Sequence, residues 1–418
     1  MPTERINAWY LIETPLEPDR AAEVLAGEQS SGTFVAVPGE TDELKRRFGA
    51  RVELVERLET VPTPSLPGCR GGAGAYTRAR VGISWSIDNV GTNLLALVSM
   101  MQGNLYELSQ FSGLRLVDFD LPGAVADHFR GPAFGVSGTR GLLGISDRPI
   151  FGTIIKPSVG LSPEQTAALA TQLAEAGLGF IKDDELMAPP PHSPFQRRFD
   201  AVNDALRRHT DRTGRRVMYA ANITDELDAM QRNYDRIVAA GGCCAMISIN
   251  PAGLSAVKKI ADAGVLAIHG HRNGFGMLNR HPLLGMEFTA YQKLWRLAGV
   301  DQLHVNGIAN KFWEPDDSVV RSIQACLAPF GRGQRVLPVV SSGQTGLQAP
   351  ETWRRTRTLD LLYLAGGGIM AHPLGPAAGV TAIRQAWEAA VQDIELNTYA
   401  ATRPALREQI ARFGRTGA

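Results

Sequence analysis

The stretch PIFGTIIKPSVGLSPEQTAALATQLAEAGLGFIKDDE, residues 149–185, decides the fold of this 418-residue chain. It opens with an apolar, β-branched run at 149–157 and closes with a second run at 180–185, and both runs are typical of strands. The segment between them has apolar residues at helical spacing, with Ser162 in position to cap a helix and Gly177 to end it. We therefore predict a strand, a helix and a second strand parallel to the first.

The same alternation continues for six more strands. Apolar runs are separated by helix-patterned segments and lie at 216–223, 243–250, 265–271, 302–307, 335–342 and 361–368. Eight strands, each followed by a helix, predict an α/β fold with a parallel sheet closed into a (β/α)8 TIM barrel, which we place at 148–392.

Polar residues are concentrated where these strands end. In a barrel of this kind the chemistry lies at the carboxyl ends of the strands, so the pattern indicates an enzyme. The polar positions are Lys156, the run 182–185, Asn222, Asn250, His269, His271, Arg272, His304, Asn306, Ser341 and the glycines 366–368.

The first part of the chain has a different pattern. Strand-like runs at 7–13, 32–37, 51–58 and 78–87 mix with helix-like segments at 19–28, 41–49 and 89–108. We expect a small α+β, ferredoxin-like domain with an antiparallel sheet at 1–140, joined to the barrel by a glycine-rich connection. A charged C-terminal helical tail is expected at 393–418.

Composition excludes several classes of partner. The formal net charge is +1, from 43 Lys and Arg against 42 Asp and Glu, so neither nucleic acid nor a charged membrane surface is indicated. The N-terminus lacks the apolar core of a secretory signal, and no apolar run approaches the ~18 residues of a membrane span. The four cysteines have no zinc-binding spacing and suit free thiols in a reducing cytoplasm, where we expect the protein.

The run FIKDDE carries the most chemical information. Alternate strand residues share a face, so Lys182 and Asp184 point together into the barrel mouth, and Glu185 can turn toward the same point. Two carboxylates are few for Mg²⁺, which prefers six oxygen ligands. A carbamate formed from CO2 on Lys182 would add an anionic oxygen ligand. The alternative is a structural cluster of ion pairs at a strand end.

Ordered motifs along nearly the whole chain resemble the ribulose bisphosphate carboxylase large chain. GTIIKPSVGLSPEQ at 152–165 with GFIKDDE at 179–185 is similar to the paired lysine signature of that family. Further motifs follow in the family's order: IHGHR at 268–272, LHVNGIANK at 303–311, PVVSSG at 338–343, AGGG with HP at 365–373, and, in the first domain, EQSSGTF at 28–34 and GN at 103–104.

The resemblance implies a role for each matching residue. Lys182, as a carbamate, would hold Mg²⁺ with Asp184 and Glu185 and could serve as a base, and Lys156 would move a proton at the reacting carbon. His271 would contact a substrate hydroxyl, and Lys311 would lie on a loop that closes over the substrate. The residues implied in binding the substrate or its phosphate are Glu28, Thr33, Asn104, Arg272, His304, Ser341, Gly343, Gly366 and Gly367.

Departures from the carboxylase pattern indicate a RuBisCO-like (form IV) protein that does not fix CO2. The carboxylase signature has lysine–proline–lysine where this chain has Lys156-Pro157-Ser158, and Phe34 replaces a tryptophan. The segments NGFGMLNRH at 273–281 and NKFWE at 310–314 also depart from it.

The choice of reaction depends on Asn104. In the methionine-salvage branches, the 2,3-diketo-5-methylthiopentyl-1-phosphate enolase and the methylthioribulose-1-phosphate isomerase, a lysine replaces this asparagine as the base. We therefore favour the branch that acts on a phosphorylated oxo acid, as a 3-oxo-isoapionate 4-phosphate decarboxylase or transcarboxylase/hydrolase. A non-catalytic relative that binds a sugar phosphate is the alternative of another class.

The resemblance also implies an assembly. In the family, first-domain residues of one subunit complete the barrel site of its neighbour. We expect a homodimer or a multiple of dimers, with a small phosphorylated substrate and no small subunit.

Overall fold

The computed structural model describes residues 4–31, 37–71 and 74–414. The described strands, in chain order, are β1 (Arg5–Thr14), β2 (Arg51–Val61), β3 (Tyr76–Ser86), β4 (Gly113–Asp120), β5 (Ile150–Ile154), β6 (Phe180–Lys182), β7 (Met218–Asn222), β8 (Cys244–Ser248), β9 (Ala267–His271), β10 (Leu284–Met286), β11 (Gln302–His304), β12 (Leu337–Val340) and β13 (Leu362–Leu364).

The described helices, in chain order, are α1 (Pro18–Glu28), α2 (Asp42–Phe48), α3 (Leu94–Met101), α4 (Gly123–His128), α5 (Gly135–Leu143), α6 (Pro163–Glu175), α7 (Phe195–Thr213), α8 (Leu227–Ala239), α9 (Ile249–Ala261), α10 (Phe275–Asn279), α11 (Phe288–Leu297), α12 (Asp316–Leu327), α13 (Ala349–Thr356), α14 (Gly367–Met370), α15 (Pro376–Val391), α16 (Leu396–Ala400) and α17 (Pro404–Phe413). Short 3-10 turns lie at Ile87–Asn89, Leu105–Glu107, Glu185–Met187 and Gly346–Gln348.

The first compact unit comprises Met1–Arg130 together with Gly274–Leu297. Its five-stranded sheet has the order β10-β4-β1-β3-β2, with antiparallel pairing except between β10 and β4. Side chains along β1 alternate, and Ile6, Ala8, Tyr10 and Ile12 are buried, as expected for a sheet with one covered face. The expected α+β domain is therefore present.

Three details of this unit differ from, or lie beyond, the sequence analysis. Strands β4 and β10 are additional to the predicted strands, and β10 lies inside the predicted barrel range of 148–392. The contacts of β10 with β4 and of α11 with β4 place 274–297 in the first unit. The strand-like run at 32–37 falls almost entirely outside the described residues.

The second unit comprises Gly131–Asn273 and Ala298–Ala418 and contains the barrel. All eight predicted strands are confirmed. They pair in parallel and close in the order β5-β6-β7-β8-β9-β11-β12-β13. Inward-facing apolar residues fill the barrel, which is a packed core with its open rim at the strand ends; they include Ile150, Phe180, Met218, Ala220, Met246, Ala267, Leu337, Val339, Leu362 and Leu364.

Local signals place the first barrel helix as predicted. Ser162 accepts a hydrogen bond from the backbone N–H of Gln165, whose side chain accepts one from the backbone N–H of Ser162, so α6 begins with a capping box. Gly177 follows the helix in the left-handed region, at φ +93°. Within the described part of the chain, no helix combines the length and the apolar character needed to cross a membrane.

Candidate active site

Strands β5 and β6 bring the two signature lysines to the barrel rim. Lys156 lies just beyond β5 and Lys182 ends β6, and Ile154 of β5 is paired with Lys182. The Lys156 Nζ donates hydrogen bonds to Asp184 Oδ2 at 2.7 Å and to Ser158 Oγ at 2.6 Å. Ser158, which stands where the carboxylase has a second lysine, therefore holds the first lysine here.

Lys182 is fully buried. Its Nζ donates to the carbonyl oxygen of Asp183 at 2.7 Å. Burial lowers the pKa of the Lys182 amine to about 8, although the carboxylates of Glu185 and Asp184 oppose this shift. With this pKa, about a tenth of the amine is neutral at pH 7, and the neutral amine is the form that reacts with CO2.

Asp184 and Glu185 differ in their surroundings. Burial favours the protonated form of Asp184, but hydrogen bonds from Lys156 and from the backbone N–H of Leu186 outweigh it, and the pKa of Asp184 is lowered. The Glu185 side chain is 36% exposed, and its Oε2 lies 3.6 Å from Nε2 of His271. Both carboxylates can therefore supply anionic oxygens at the rim.

The donor set fits Mg²⁺ under one condition. Among the residues that the structure describes, no group of three or more His, Cys, Asp and Glu side chains is arranged to hold a metal. Asp184 and Glu185 supply two carboxylates, and a carbamate on Lys182 would supply the third anionic group. With that modification the residues fit a hard cation that prefers oxygen ligands.

Asp183 has a structural place that the sequence analysis did not assign. It is fully buried and faces away from Lys182 and Asp184, as the strand period requires. Its carboxylate accepts hydrogen bonds from Arg198 Nε at 3.2 Å, the Tyr219 hydroxyl at 2.6 Å and the backbone N–H of Asn222 at 2.9 Å. These contacts fix the start of the loop that carries Asp184 and Glu185.

Three histidines line the rim at β9 and β11. The rings of His271 and His304 meet edge to face, with centroids 4.6 Å apart. His269 Nε2 lies 3.0 Å from His304 Nε2, and His304 Nδ1 lies 3.0 Å from Ser341 Oγ. Burial lowers the pKa of His271 to about 3, so its ring is neutral and can accept or donate a hydrogen bond.

A buried carboxylate that the sequence analysis missed holds the next residues. Glu314 Oε2 accepts a hydrogen bond from Arg272 at 3.0 Å and from Asn306 Nδ2 at 2.6 Å. Glu314 is 5% exposed, although it follows the exposed Lys311, Phe312 and Trp313. No local pattern in NKFWE distinguishes this glutamate from a surface residue.

The loops after β11 and β12 lie against each other. The backbone N–H of Lys311 donates to the carbonyl of Ser342 at 3.1 Å, and a Cβ on Gly343 would lie 3.4 Å from that of Lys311. The Lys311 Nζ lies 5.2 Å from the centre of the Phe312 ring. After β13, Gly366 lies beside Lys156, because a Cβ there would be 4.0 Å from Lys156 Cε, whereas Gly367 faces open space.

The predicted residues of the first domain belong to the other compact unit. Glu28 is the last residue of α1 and is partly exposed, and Asn104 is exposed just before a 3-10 turn. Thr33 lies outside the described residues. The contacts at the rim therefore join barrel residues of the prediction, and the places of Glu28, Thr33 and Asn104 in the site stay predictions.

Two family models match the chain. The model of the ribulose bisphosphate carboxylase large chain, catalytic domain, matches residues 135–413, and that of the N-terminal domain matches residues 4–125. Together they cover both compact units.

Two curated relatives are similar over almost their full length. A 3-oxo-isoapionate-4-phosphate transcarboxylase/hydrolase from Xanthobacter autotrophicus is 50% identical over 410 residues, 98% of this chain and 99% of the relative. A 3-oxo-isoapionate-4-phosphate decarboxylase from Rhizobium rhizogenes is 46% identical over 411 residues, 98% of each chain.

Two solved structures are similar to this chain over almost their full length. A rubisco-like protein from Burkholderia fungorum superposes with a TM-score of 0.92 at 46% identity, covering 98% of this chain and 100% of that one. A dimeric archaeal Rubisco from Hyperthermus butylicus superposes with a TM-score of 0.85 at 28% identity, covering 98% and 96%. This chain therefore belongs to the ribulose bisphosphate carboxylase large-chain family and, within it, to the RuBisCO-like proteins.

Proposed function

We propose that this RuBisCO-like protein acts on 3-oxo-isoapionate 4-phosphate, or on a closely related phosphorylated β-keto acid, and removes or transfers its carboxylate. Two relatives named for reactions of that substrate are 46–50% identical over 98% of the chain. The Rubisco-like rim has lost the second lysine of the carboxylase signature. It keeps the residues suited to handling an enediolate.

The observation that carries the proposal is the placement of Lys156. Its ammonium is held by Asp184 and Ser158 at the rim, and its side chain is 39% exposed. A positioned ammonium can protonate a carbanion formed next to it. Asn104 occupies the position at which the enolase and isomerase branches carry a lysine base, so proton abstraction by that route is disfavoured.

The reaction begins with loss of a carboxylate. The bond between the carboxylate carbon and the carbon beside the ketone breaks, and its electron pair moves onto the ketone oxygen to give an enediolate. In the decarboxylase reaction, Lys156 then delivers a proton to that carbon and CO2 leaves. In the transcarboxylase/hydrolase reaction, the freed CO2 instead forms a new bond to the former ketone carbon, and the carbon that lost it becomes a ketone. Water then adds to this new ketone and the carbon–carbon bond between the two centres breaks. The electron pair of that bond takes up a proton, so that two acids are released.

Charge on the enediolate oxygen needs stabilisation throughout. Lys182 as a carbamate, Asp184 and Glu185 would hold Mg²⁺, which when bound acts as a Lewis acid on neighbouring substrate oxygens. His271, neutral and beside Glu185, would hydrogen-bond a substrate hydroxyl. Lys311 would cover the substrate when its loop closes.

The phosphate would be bound where glycines expose backbone N–H groups. Gly366 lies beside Lys156 just before α14, Gly367 is the first residue of that helix, and Gly343 lies against the Lys311 loop. Backbone N–H groups at such positions can approach an anion closely. Thr33, the guanidinium of Arg272 and the neutral ring of His304 would complete the contacts to the polar ends of the substrate.

The active unit would be a homodimer or a multiple of dimers in the cytoplasm. A related archaeal Rubisco is dimeric, and the exposed or partly exposed Asn104 and Glu28 are free to approach another subunit's barrel. No small subunit is required. Sedimentation equilibrium would test the assembly, and a fully active monomer would contradict it.

The reaction is tested with substrate carrying ¹³C in its carboxylate. The enzyme is incubated with this compound, Mg²⁺ and bicarbonate, and the products are followed by ¹³C NMR. Free ¹³CO2 identifies the decarboxylase, and ¹³C retained in an acid product identifies the transcarboxylase/hydrolase. The diketo-methylthiopentyl phosphate is the control substrate. Enolisation of this control with no turnover of the labelled acid would refute the proposal, and binding without turnover of either would indicate a non-catalytic relative.

A further inference from the structure

A chain of buried hydrogen bonds runs from the bottom of β11 to the rim. Gln302 Oε1 lies 2.9 Å from His269 Nδ1, His269 Nε2 lies 3.0 Å from His304 Nε2, and His304 Nδ1 lies 3.0 Å from Ser341 Oγ. All four residues are buried. Each contact needs one hydrogen, so the orientation of one end fixes the orientation of the rest.

The orientation of the Gln302 amide determines which atom donates in the first hydrogen bond of the chain. Its Nε2 lies 3.3 Å from Thr139 Oγ1 and 3.3 Å from Met218 Sδ. A thioether sulfur accepts hydrogen bonds and cannot donate them, so the amide nitrogen belongs on the Met218 side. The amide oxygen therefore faces His269, and because it can only accept, His269 Nδ1 must carry a hydrogen.

The position of the hydrogen on His269 in turn determines which nitrogen of His304 carries a hydrogen. Burial, the largest cause, lowers the pKa of His269 and of His304 well below the ordinary value, so both rings are neutral. The cationic groups near them, Lys182 and Arg272, act in the same sense. With its hydrogen on Nδ1, His269 accepts at Nε2. His304 then donates from Nε2, accepts at Nδ1, and takes the hydroxyl hydrogen of Ser341.

A second chain reaches the neighbouring serine. The Glu314 carboxylate accepts from Asn306 Nδ2 at 2.6 Å, which turns Asn306 Oδ1 toward Ser342. Ser342 donates its hydroxyl hydrogen to that oxygen at 2.7 Å. The two serine oxygens lie 3.4 Å apart, and with both hydrogens already committed neither serine donates to the other.

We propose that Gln302 and Glu314 are positioning residues that turn the Ser341–Ser342 pair into an acceptor-only edge of the site. Such an edge binds substrate groups that carry a hydrogen, namely the hydroxyls of a sugar-derived chain. It rejects phosphate and carboxylate oxygens, which would meet unshared electron pairs. The choice of ligand group rests on the proposed function, whereas the hydrogen positions do not.

The hydrogen positions are tested on the ligand-free enzyme. Protein labelled with ¹⁵N-histidine is studied by long-range ¹H–¹⁵N correlation NMR near pH 7.5, and His269 and His304 are assigned from single variants. We expect an unprotonated Nε2 on His269 and an unprotonated Nδ1 on His304. The opposite tautomers, or a cationic ring at either position, would overturn the proposal.

Variants test whether Gln302 determines which nitrogens of His269 and His304 carry hydrogen. Gln302→Leu is similar in size and has no atom that accepts a hydrogen bond, so we expect His304 to become a mixture of tautomers. Thr139→Val removes a partner of the amide nitrogen but keeps the acceptor, and Ser341→Ala removes the far end of the chain. Both should keep the wild-type tautomers. Reversal in Ser341→Ala would assign the control to the serine and contradict the proposal. If Gln302→Leu does not fold, the wild-type and Ser341→Ala spectra still decide the question.

The preference for ligand groups that carry a hydrogen is tested with a set of matched phosphorylated ligands. Erythritol 4-phosphate is compared with analogues in which one hydroxyl is replaced by fluorine, which is similar in size but cannot donate. We expect at least one fluoro analogue to bind about tenfold more weakly to the wild type, the effect of one lost hydrogen bond. The difference should disappear in Ser341→Ala. Equal binding of all analogues by the wild type, with the expected tautomers, would refute the acceptor edge while leaving the proposed reaction open.

Discussion

The ammonium of Lys156 lies 2.7 Å from the carboxylate of Asp184. Glu185, the second proposed metal ligand, follows Asp184 directly in the sequence. The contact joins the first two strands of the barrel at the rim. A proton-bearing group and a candidate metal ligand are thereby held in one ion pair. If a cation binds to Asp184 as proposed, this ion pair breaks and Lys156 becomes available to the reacting carbon.

Replacement of Lys156 by methionine is expected to lower kcat by about 10²–10⁴-fold, the usual effect of losing a positioned proton donor. The fold should be retained because the side chain is partly exposed. Steady-state kinetics with the ¹³C-labelled substrate measures the loss. Lys258→Met, which removes only a surface pair with Asp262, is the control and should keep wild-type turnover. Equal activity of the two variants would exclude a chemical role for Lys156.

Carbamate formation should be specific to Lys182. After incubation with ¹³C-bicarbonate and Mg²⁺, the wild type should show a carbamate signal in its ¹³C NMR spectrum, and Lys182→Ala should show none. Turnover should be abolished in the variant. In the wild type it should be lost with excess chelator and restored by Mg²⁺. Full turnover in chelator would rule out a metal role.

The buried pair of Asp183 and Arg198 is expected to contribute strongly to stability. Asp183→Asn leaves a buried guanidinium without its charge partner, which typically costs about 3–5 kcal/mol. Urea denaturation followed by circular dichroism measures the free energy of unfolding. Asp200→Asn, which breaks an exposed pair with Arg236, is the matched control and should cost no more than ~1 kcal/mol. Similar losses of unfolding free energy in both variants would show that the buried pair of Asp183 and Arg198 stabilises the fold no more than the exposed pair does.

Gly367 and Gly368 should respond differently to alanine. A Cβ on Gly367 meets nothing within 4 Å, so Gly367→Ala should fold normally but raise KM for the phosphorylated substrate by crowding its anion. A Cβ on Gly368 would lie 2.5 Å from the carbonyl oxygen of Gln344, so Gly368→Ala should lower the melting temperature. Thermal melts and KM values test both statements. An unchanged KM in Gly367→Ala would place the phosphate elsewhere.

His209 should make the protein less stable in mild acid. It is buried in α7, neither ring nitrogen has a hydrogen-bond partner among the described residues, and burial together with nearby Arg212 lowers its pKa. In the unfolded chain, His209 therefore binds a proton as the pH falls through about 6.5, whereas in the folded protein it binds one only at lower pH. The free energy of unfolding should fall in that range, and it should fall less steeply in His209→Phe. Equal slopes would contradict the assignment.

Much of the barrel was predictable because its signals are local. Each strand is an apolar run of a few residues, and each helix has its own period and ends, as Ser162 and Gly177 illustrate. The period of two also placed Lys182 and Asp184 on one face and Asp183 on the other. The first unit was less predictable, since β4 and β10 pair across more than 160 residues and neither has a distinctive pattern.

The sequence by itself determined the alternating strands and helices, the positions of the rim residues and the family resemblance, because these depend on side chains a few positions apart. Tertiary structure alone decided which of those residues touch. The contact of Lys156 with Ser158 and Asp184, the burial of Asp183 against Arg198 and Tyr219, and the chain from Gln302 to Ser341 depend on the final fold. Most of these partners come from different strands and loops, and they meet only when the sheet closes into a barrel.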